Sequence, residues 1–128
     1  MKTNVVIVGA GIIFVAIIIT VPMFFGGHGH TRHDKAKFDI SLISESLEQF
    51  KSVHGIYPSN EKGLEILVDV SSAGQSYKLD RLPIDPWGSQ YHYQLPGQNN
   101  TENFDLWSYG ADGQAGGSKG NEDIKNWR

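Results

Sequence analysis

Hydrophobic and polar residues divide this chain of 128 residues into an apolar beginning and a mixed remainder. Residues 5–25 carry no charged side chain and are almost entirely apolar. Because a helix of about 20 apolar residues crosses the hydrocarbon core of a bilayer, this stretch predicts a membrane anchor helix over residues 1–25. A cleaved signal peptide is the alternative, although its apolar region usually extends over only about 7–15 residues.

After a glycine- and histidine-rich segment, predicted to be a linker over residues 26–33, apolar residues recur with helical spacing. The positions separated by four, three, four and three residues are Ala36, Ile40, Ile43, Leu47 and Phe50. This spacing predicts an amphipathic helix over about residues 34–54 that buries one face in the core of its own domain. Asp34 is a suitable N-cap for this helix, and Gly55 is a suitable residue to end it.

Shorter patterns further along the chain predict a second helix and a β-hairpin. Ser59 or Asn60 is a suitable N-cap for a short helix with the apolar residues Leu64, Ile66, Leu67 and Val70. Alternation around Tyr91, Tyr93 and Leu95 predicts a strand with one buried face, and a turn over residues 96–102 leads to a returning strand over residues 104–109. The predicted domain over residues 34–128 is therefore α+β, with a small antiparallel sheet.

Composition and motifs exclude several classes of function. The formal net charge of −3, without a basic cluster, argues against a nucleic acid as a partner. The chain has no cysteine and none of the common nucleophile, phosphate-binding or zinc-protease motifs, so we expect neither an enzyme nor a small-molecule substrate. Asp80 and Asp85 could form an acid–base pair, but an aspartate before proline is ordinary turn chemistry.

Two segments are candidates for metal binding. The tract containing His28, His30 and His33 could hold a transition metal, but a solvated linker is the favoured interpretation. The glycine-rich loop after residue 109 begins with Asp112 and ends with Glu122 and Asp123, and oxygen ligands from both ends of a flexible loop suit a hard cation such as calcium. The spacing is not that of an EF-hand, and a plain surface turn is the alternative interpretation.

Seven short motifs, in this order, make the chain resemble the major pseudopilin family of type II secretion systems, also called general secretion pathway protein G. They are Lys35-Ala36, Asp39-Ile40, Gly55-Ile-Tyr-Pro58, Glu61-Lys-Gly-Leu64, Asp85-Pro-Trp-Gly88, Ser108-Tyr-Gly-Ala-Asp-Gly113 and Asp123-Ile-Lys-Asn-Trp127. The resemblance covers about residues 35–127. Each motif is weak by itself, and their order and spacing carry the resemblance.

The resemblance implies a pilin-like fold and a structural function in protein secretion. It implies a single-pass protein of the bacterial inner membrane whose C-terminal domain lies in the periplasm. Copies would assemble with one another and with other pseudopilins into a helical filament, the pseudopilus. It also implies a structural Ca²⁺ in the C-terminal loop. The ligands carried over are the side chains of Asp112, Asp123 and Glu122 and the backbone carbonyls of Leu106 and Ser108.

Two features of the chain depart from that pattern. The family has a Gly-Phe junction followed by a glutamate, where this chain begins Met1-Lys-Thr-Asn-Val-Val6, and no acidic residue occurs before Asp34. Arg32, Lys35 and Lys37 follow the apolar stretch, so the positive-inside rule taken literally would place the domain in the cytoplasm. We nevertheless expect the periplasmic orientation that the family implies. A membrane-tethered calcium-binding domain that does not polymerise is the alternative function.

Overall fold

The computed structural model describes residues 31–68 and 79–128. The predicted anchor over residues 1–25 and most of the predicted linker over residues 26–33 lie outside the described residues, so both stay predictions. Within the two described ranges, no helix is long and apolar enough to cross a membrane.

The long helix of the described residues, α1 (Arg32–His54), begins two residues earlier than predicted. The N-cap is Thr31 and not Asp34, because the two residues form a capping box. The Thr31 hydroxyl accepts a hydrogen bond from the Asp34 N–H at 3.1 Å, and the Asp34 carboxylate accepts one from the Thr31 N–H at 3.1 Å. The helix ends as predicted at Gly55, whose φ of 77° is left-handed and whose N–H donates to the Lys51 carbonyl.

Of the predicted second helix, the described residues up to 68 form one short 3₁₀ turn, Glu65–Leu67, and Val70 lies outside the described residues. Asn60 does not cap this turn. Its side-chain amide instead donates to the Leu95 carbonyl and accepts from the Leu95 N–H, both at 2.7 Å. The Asn60 side chain thus makes the two hydrogen bonds to Leu95 that the backbone of a neighbouring strand would make, and it links this segment to the end of β1. Sequence reasoning missed this use because the partner lies 35 residues away.

The sheet has three antiparallel strands, β1 (His92–Gln94), β2 (Asp105–Ser108) and β3 (Ile124–Lys125), in the order β1-β2-β3. The predicted hairpin corresponds to β1 and β2, whereas β3 was not predicted. Together with α1 this makes the predicted α+β architecture with a small antiparallel sheet. The α1 face predicted from the spacing packs against the sheet in a single core, which includes Ile40, Ile43, Leu47, Tyr91, Phe104, Leu106 and Ile124. Helix and sheet therefore bury each other's apolar faces.

One buried carboxylate links the helix to the sheet. Asp39 accepts hydrogen bonds from the Lys35 ammonium at 2.6 Å and from the Tyr91 hydroxyl at 2.9 Å. Its partner Tyr91 is desolvated by burial and bonded to Asp39, and both effects raise the pKa of Tyr91. A charged residue on the core-facing side of α1 is tolerated here because both partners satisfy it.

A second buried carboxylate organises the turn of the hairpin. Asp105 is 1% exposed and accepts hydrogen bonds at 2.8–2.9 Å from the N–H groups of Gln98, Asn99 and Asn100 and from the Asn99 side chain. Burial alone raises the pKa of Asp105, but the bonds from Asn99, Asn100 and Gln98 outweigh it, so the pKa is lowered. Gly97 has no side chain, and a Cβ there would press against the Asp105 carboxylate.

Candidate cation site in the C-terminal loop

The glycine-rich loop leaves the sheet at the end of β2 and returns to it at the start of β3. Ser108 and Ile124 are partners in that antiparallel pair, so the two ends of the loop are neighbours. Gly110 has a φ of 66°, and a Cβ on it would lie 2.7 Å from the Glu122 carbonyl oxygen. The close approach of the two ends therefore requires glycine at position 110.

The interior of the loop is folded back on itself. The Asp123 N–H donates to the Gly116 carbonyl at 3.1 Å, and the Asn121 N–H donates to the Ser118 carbonyl at 3.2 Å. Gly117 has a φ of 86°, and a Cβ there would overlap the Asn121 carbonyl. The backbone of this part of the loop is consequently too close to itself for any side chain at position 117.

Asp123 differs from the other predicted cation ligands in the burial and hydrogen bonding of its carboxylate. One of its carboxylate oxygens, Oδ2, accepts a hydrogen bond from the Gly116 N–H at 2.8 Å. The other, Oδ1, is buried and accepts no hydrogen bond within the described part of the chain. A buried carboxylate oxygen without a donor is costly unless a cation or water satisfies it. The Oδ1 of Asp123 is therefore a carboxylate oxygen of the kind that coordinates calcium.

The other two predicted carboxylates are more exposed and are each bonded to the loop backbone. Asp112 accepts from the Gln114 N–H at 3.1 Å, and Glu122 accepts from the Gly120 N–H at 2.8 Å. Backbone N–H groups, those of Glu122 itself and of Gly120 foremost, lower the pKa of Glu122. These two carboxylates are oxygen ligands available on the same loop as Asp123.

The structure does not bring the predicted side chains together into one cluster. Among residues 31–68 and 79–128, no group of three or more histidine, aspartate or glutamate side chains is placed to hold a metal ion. The two predicted carbonyl ligands lie in β2, and the Leu106 carbonyl already accepts from the Asn126 N–H at 3.0 Å. The Ser108 hydroxyl donates to Asp85 at 2.6 Å and accepts from the Gly110 N–H at 3.1 Å. The loop therefore offers oxygen ligands, but the described residues do not bring them together around one point.

Sequence reasoning missed the role of Asp85 in holding the loop base. Asp85 belongs to the turn before β1, and its Oδ1 accepts from the N–H groups of Trp87 at 3.0 Å and Ser89 at 2.8 Å. Its Oδ2 accepts from the Ser108 hydroxyl, which stands where the loop leaves the sheet. The prediction of turn chemistry for Asp85 accounts for the first two bonds. The third links residues 23 positions apart and gives no local signal.

The start of α1 also contacts the end of the loop. The His33 ring meets the Trp87 ring edge-on with centroids 5.1 Å apart, and the His33 Nε2 lies 3.7 Å from the Glu122 carboxylate. Of the three histidines in the predicted metal-binding tract, His28 and His30 lie outside the described residues. His33 lies in the first turn of α1 and packs against the domain.

An aromatic cluster on the sheet face that points away from α1 joins residues that precede the loop to a residue that follows it. Trp107 on β2 stacks with His92 at a centroid distance of 5.2 Å and meets Trp127 edge-on at 5.9 Å. Tyr109, the last residue before Gly110, packs against both His92 and Trp107. Alternation of Trp107 and Tyr109 along the strand was the available signal for this cluster. The loop is therefore anchored at both ends by packing.

Comparison with known proteins agrees with this fold. The family model of type II secretion system protein G matches residues 24–127. The type II secretion system core protein G of Pseudomonas aeruginosa is 38% identical over 116 residues, which are 85% of this chain and 80% of the relative. That of Vibrio cholerae is 36% identical over 113 residues, 84% of this chain and 76% of the relative.

A solved structure supports the same assignment. The crystal structure of the major pseudopilin from the type 2 secretion system of enterohaemorrhagic Escherichia coli is similar with a TM-score of 0.60 and 30% sequence identity. The similarity covers 84% of this chain and 96% of that chain. The pilin-like fold and the structural, non-enzymatic character expected from the sequence are thereby confirmed. By its sequence and its fold, this chain belongs to the type II secretion system protein G family.

Proposed function

We propose that this chain is a pseudopilus subunit that is anchored in the bacterial inner membrane by residues 1–25 and carries its folded domain in the periplasm. The observation that carries the proposal is the match of residues 24–127 to the family, on a domain with the fold of a solved major pseudopilin. The apolar, uncharged stretch over residues 5–25 supplies the anchor. Self-assembly into an open helical filament and contact with other pseudopilins follow as the proposed partnerships.

A second candidate is a membrane-tethered domain that keeps the pilin-like head but does not polymerise. The observation that favours it is that the apolar stretch over residues 5–25 contains no carboxylate. A carboxylate within an apolar segment is costly unless it is paired, so a subunit without one assembles with different energetics. Both candidates share the anchor, the periplasmic domain and the loop.

Complementation separates the two candidates. The full chain is expressed in a bacterium whose type II secretion system lacks its own protein G, and export of a reporter exoprotein is measured. A structural subunit of the machine is expected to restore export to well above the level of the empty vector. A chain that is abundant in the membrane fraction and well folded, yet restores no export, would favour the tethered domain.

We also propose that the C-terminal loop binds a structural calcium ion. Asp123 is the central ligand, because its buried Oδ1 accepts no hydrogen bond from residues 31–68 or 79–128. Asp112 and Glu122 supply further carboxylate oxygens, and carbonyls of the loop and of Leu106 and Ser108 complete the candidate set. A bound calcium would draw the carboxylates of the loop together and hold the glycine-rich backbone in one conformation. The residues of the loop would only bind the ion, and no reaction is proposed at this site.

Thermal unfolding of the full chain in detergent micelles tests the calcium site. A ligand that binds only the native state stabilises it by about 2.7 kcal/mol at a hundred times its dissociation constant, so millimolar calcium should raise the melting temperature relative to excess chelator. Asp112→Ala and Asp123→Ala should each remove most of that rise. Asp80→Ala, which changes an exposed aspartate outside the loop, is the matched control and should keep it. Equal melting temperatures in calcium and chelator would reject the site.

A further inference from the structure

One dipeptide of the C-terminal loop, Asp112–Gly113, combines a reactive sequence with an open structure. It is the only place in the chain where glycine follows an aspartate, and glycine follows no asparagine. Because glycine has no Cβ, it leaves the nitrogen of its own peptide bond open to the carboxyl carbon of the preceding side chain. Both residues are exposed to solvent. This peptide bond is therefore a candidate site for a covalent change.

The backbone around Gly113 leaves the reacting nitrogen free. Within the described part of the chain, the Gly113 N–H donates no hydrogen bond. Apart from its chain neighbours, no atom lies within 4 Å of the position that a Cβ on Gly113 would occupy. The Asp112 Oδ1 accepts a hydrogen bond from the Gln114 N–H at 3.1 Å, so the side chain folds back along the intervening Gly113 peptide. This bond keeps the carboxyl group close to the Gly113 nitrogen.

The conformation of the loop requires glycine at position 113. Gly113 has a φ of 66°, which lies in the left-handed region that residues with a Cβ rarely adopt. A bulkier residue there would slow an attack on the preceding side chain, but it would also strain the turn. The loop geometry thus keeps an unhindered peptide nitrogen directly after an aspartate.

Other aspartates of the described residues are hindered in the same reaction. The peptide nitrogen after Asp85 belongs to Pro86 and carries no hydrogen. The N–H after Asp105 is that of Leu106, and it donates to a side-chain carbonyl at 2.9 Å. The aspartates of α1 precede N–H groups that are bonded within the helix. Asp80 is exposed, but an arginine follows it, and that side chain hinders the approach.

We propose that Asp112 isomerises in the folded protein through a cyclic imide, which makes the loop a site of slow covalent modification. The Gly113 nitrogen attacks the Asp112 Cγ, so a C–N bond forms and a C–O bond of the carboxyl group breaks. The oxygen leaves as water with the amide proton and one proton from solvent. Water then opens the imide, either at Cγ, which restores aspartate, or at the main-chain carbonyl, which gives isoaspartate. Opening returns the proton to solvent, and the mass of the chain is unchanged.

Isoaspartate changes the loop without removing its attachment to the sheet. The main chain gains one methylene group at residue 112 and the side chain loses it, so the carboxylate moves to a new position. The pairing of Ser108 with Ile124 and the packing of Tyr109 on Trp107 hold the base of the loop. The domain should therefore stay folded while the surface of the loop changes with the age of the chain. The reaction requires no metal ion, so this inference does not depend on the proposed calcium site.

Incubation of the full chain in detergent micelles at neutral pH, with excess chelator, tests the proposal. Trypsin releases residues 82–119 as one peptide, because no lysine or arginine lies between Arg81 and Lys119. Isoaspartate is measured as a peptide of unchanged mass that separates on chromatography and accepts a methyl group from protein isoaspartate methyltransferase. Electron-transfer fragmentation assigns the isomer to its residue, and deamidation of an asparagine is recognised by its added mass. A synthetic peptide of residues 108–118 supplies the rate of an unfolded chain.

We expect the isomer at residue 112 to accumulate in the folded chain within about tenfold of the rate in the peptide, because exposed loops open at little free-energy cost. Asp112→Glu keeps the carboxylate but needs a larger ring, which closes more slowly, so the isomer at this residue should disappear. Asp80→Glu makes the same change at an exposed aspartate outside the loop. This matched control should leave the rate at residue 112 unchanged.

Two results would overturn the proposal. A folded chain that reacts more than about tenfold more slowly than the peptide would show that the loop protects Asp112. An isomer that maps to Asp85 or Asp105 and persists in Asp112→Glu would contradict the assignment of the site. Both rates are taken from the period in which the far-ultraviolet circular dichroism of the chain is unchanged, so unfolding cannot imitate the expected result.

Discussion

Asp105→Ala is expected to lower the free energy of unfolding by about 3 kcal/mol. The carboxylate is 1% exposed and accepts four hydrogen bonds from the turn at Gln98, Asn99 and Asn100. Truncation leaves those donors without their acceptor and removes bonds to a charged group, each of which contributes about 1.5–3 kcal/mol before relaxation and access of water. Urea unfolding of the full chain in detergent measures the loss.

The matched control is Glu102→Ala, which removes an exposed carboxylate from the same turn. Its effect should stay within about 0.5 kcal/mol, because exposed carboxylates contribute little. Asp105→Asn keeps the shape but turns a donor group toward other donors, so it should recover only part of the stability. An Asp105→Ala variant as stable as Glu102→Ala would show that the hydrogen bonds are replaced by water at no cost.

Asp105 also makes the free energy of unfolding depend on pH in the acid range. The pKa of this carboxyl is lowered in the folded protein, so the folded state binds its proton less readily than the unfolded state. The contribution is therefore fully present above the unfolded pKa of about 3.9 and is lost as pH falls through the lower folded value. In Asp105→Ala the loss of stability below about pH 4 should be shallower than in the unchanged protein.

Asp85→Ala is expected to have an effect of similar size, about 3 kcal/mol, and to loosen the base of the C-terminal loop. This buried carboxylate holds the N–H groups of Trp87 and Ser89 and the hydroxyl of Ser108. Its removal leaves three donors without their acceptor, and one of them, the Ser108 hydroxyl, belongs to a fully buried residue. Hydrogen exchange should show faster opening of the Asp85–Ser89 turn and of β2 near Ser108.

Ser108→Ala is the matched variant because it removes one of the three bonds to Asp85 and, in addition, the bond that the Ser108 hydroxyl accepts from the Gly110 N–H. We expect it to lower the free energy of unfolding by about 2 kcal/mol while leaving the turn around Trp87 and Ser89 protected from exchange. The double variant should lose less than the sum of the two single losses, since both remove the same contact. Additive losses would contradict the link between the turn and β2.

Local sequence signals predicted the helix and the hairpin. The spacing from Ala36 to Phe50 specifies which side of α1 is buried, since helical geometry alone brings those positions to one face. Gly55 ends the helix because its left-handed φ is cheap only for glycine. Phe104, Leu106 and Ser108 alternate with Trp107 and face the core, as a strand of period two requires.

Local sequence signals did not predict the contacts between residues that are far apart in the sequence. Asp34 was expected to cap α1, but Thr31 does so because the capping box satisfies both residues at once. Asn60 was expected to cap a second helix and instead bonds to Leu95, which only the folded chain brings near. β3 was missed because a strand of two residues has no periodicity of its own and is defined by its pairing with β2.

The candidate site divides in the same way. The sequence by itself determined the family, the pilin-like α+β domain and a loop with acidic residues at both ends, because these depend on residue order and local periodicity. Only the tertiary structure showed that one buried oxygen of Asp123 has no donor in the described part of the chain, that Asp112 is exposed, and that Asp85 holds the loop base. Burial and hydrogen bonding depend on contacts between residues that are far apart in the sequence, and the local pattern of residue types does not specify those contacts.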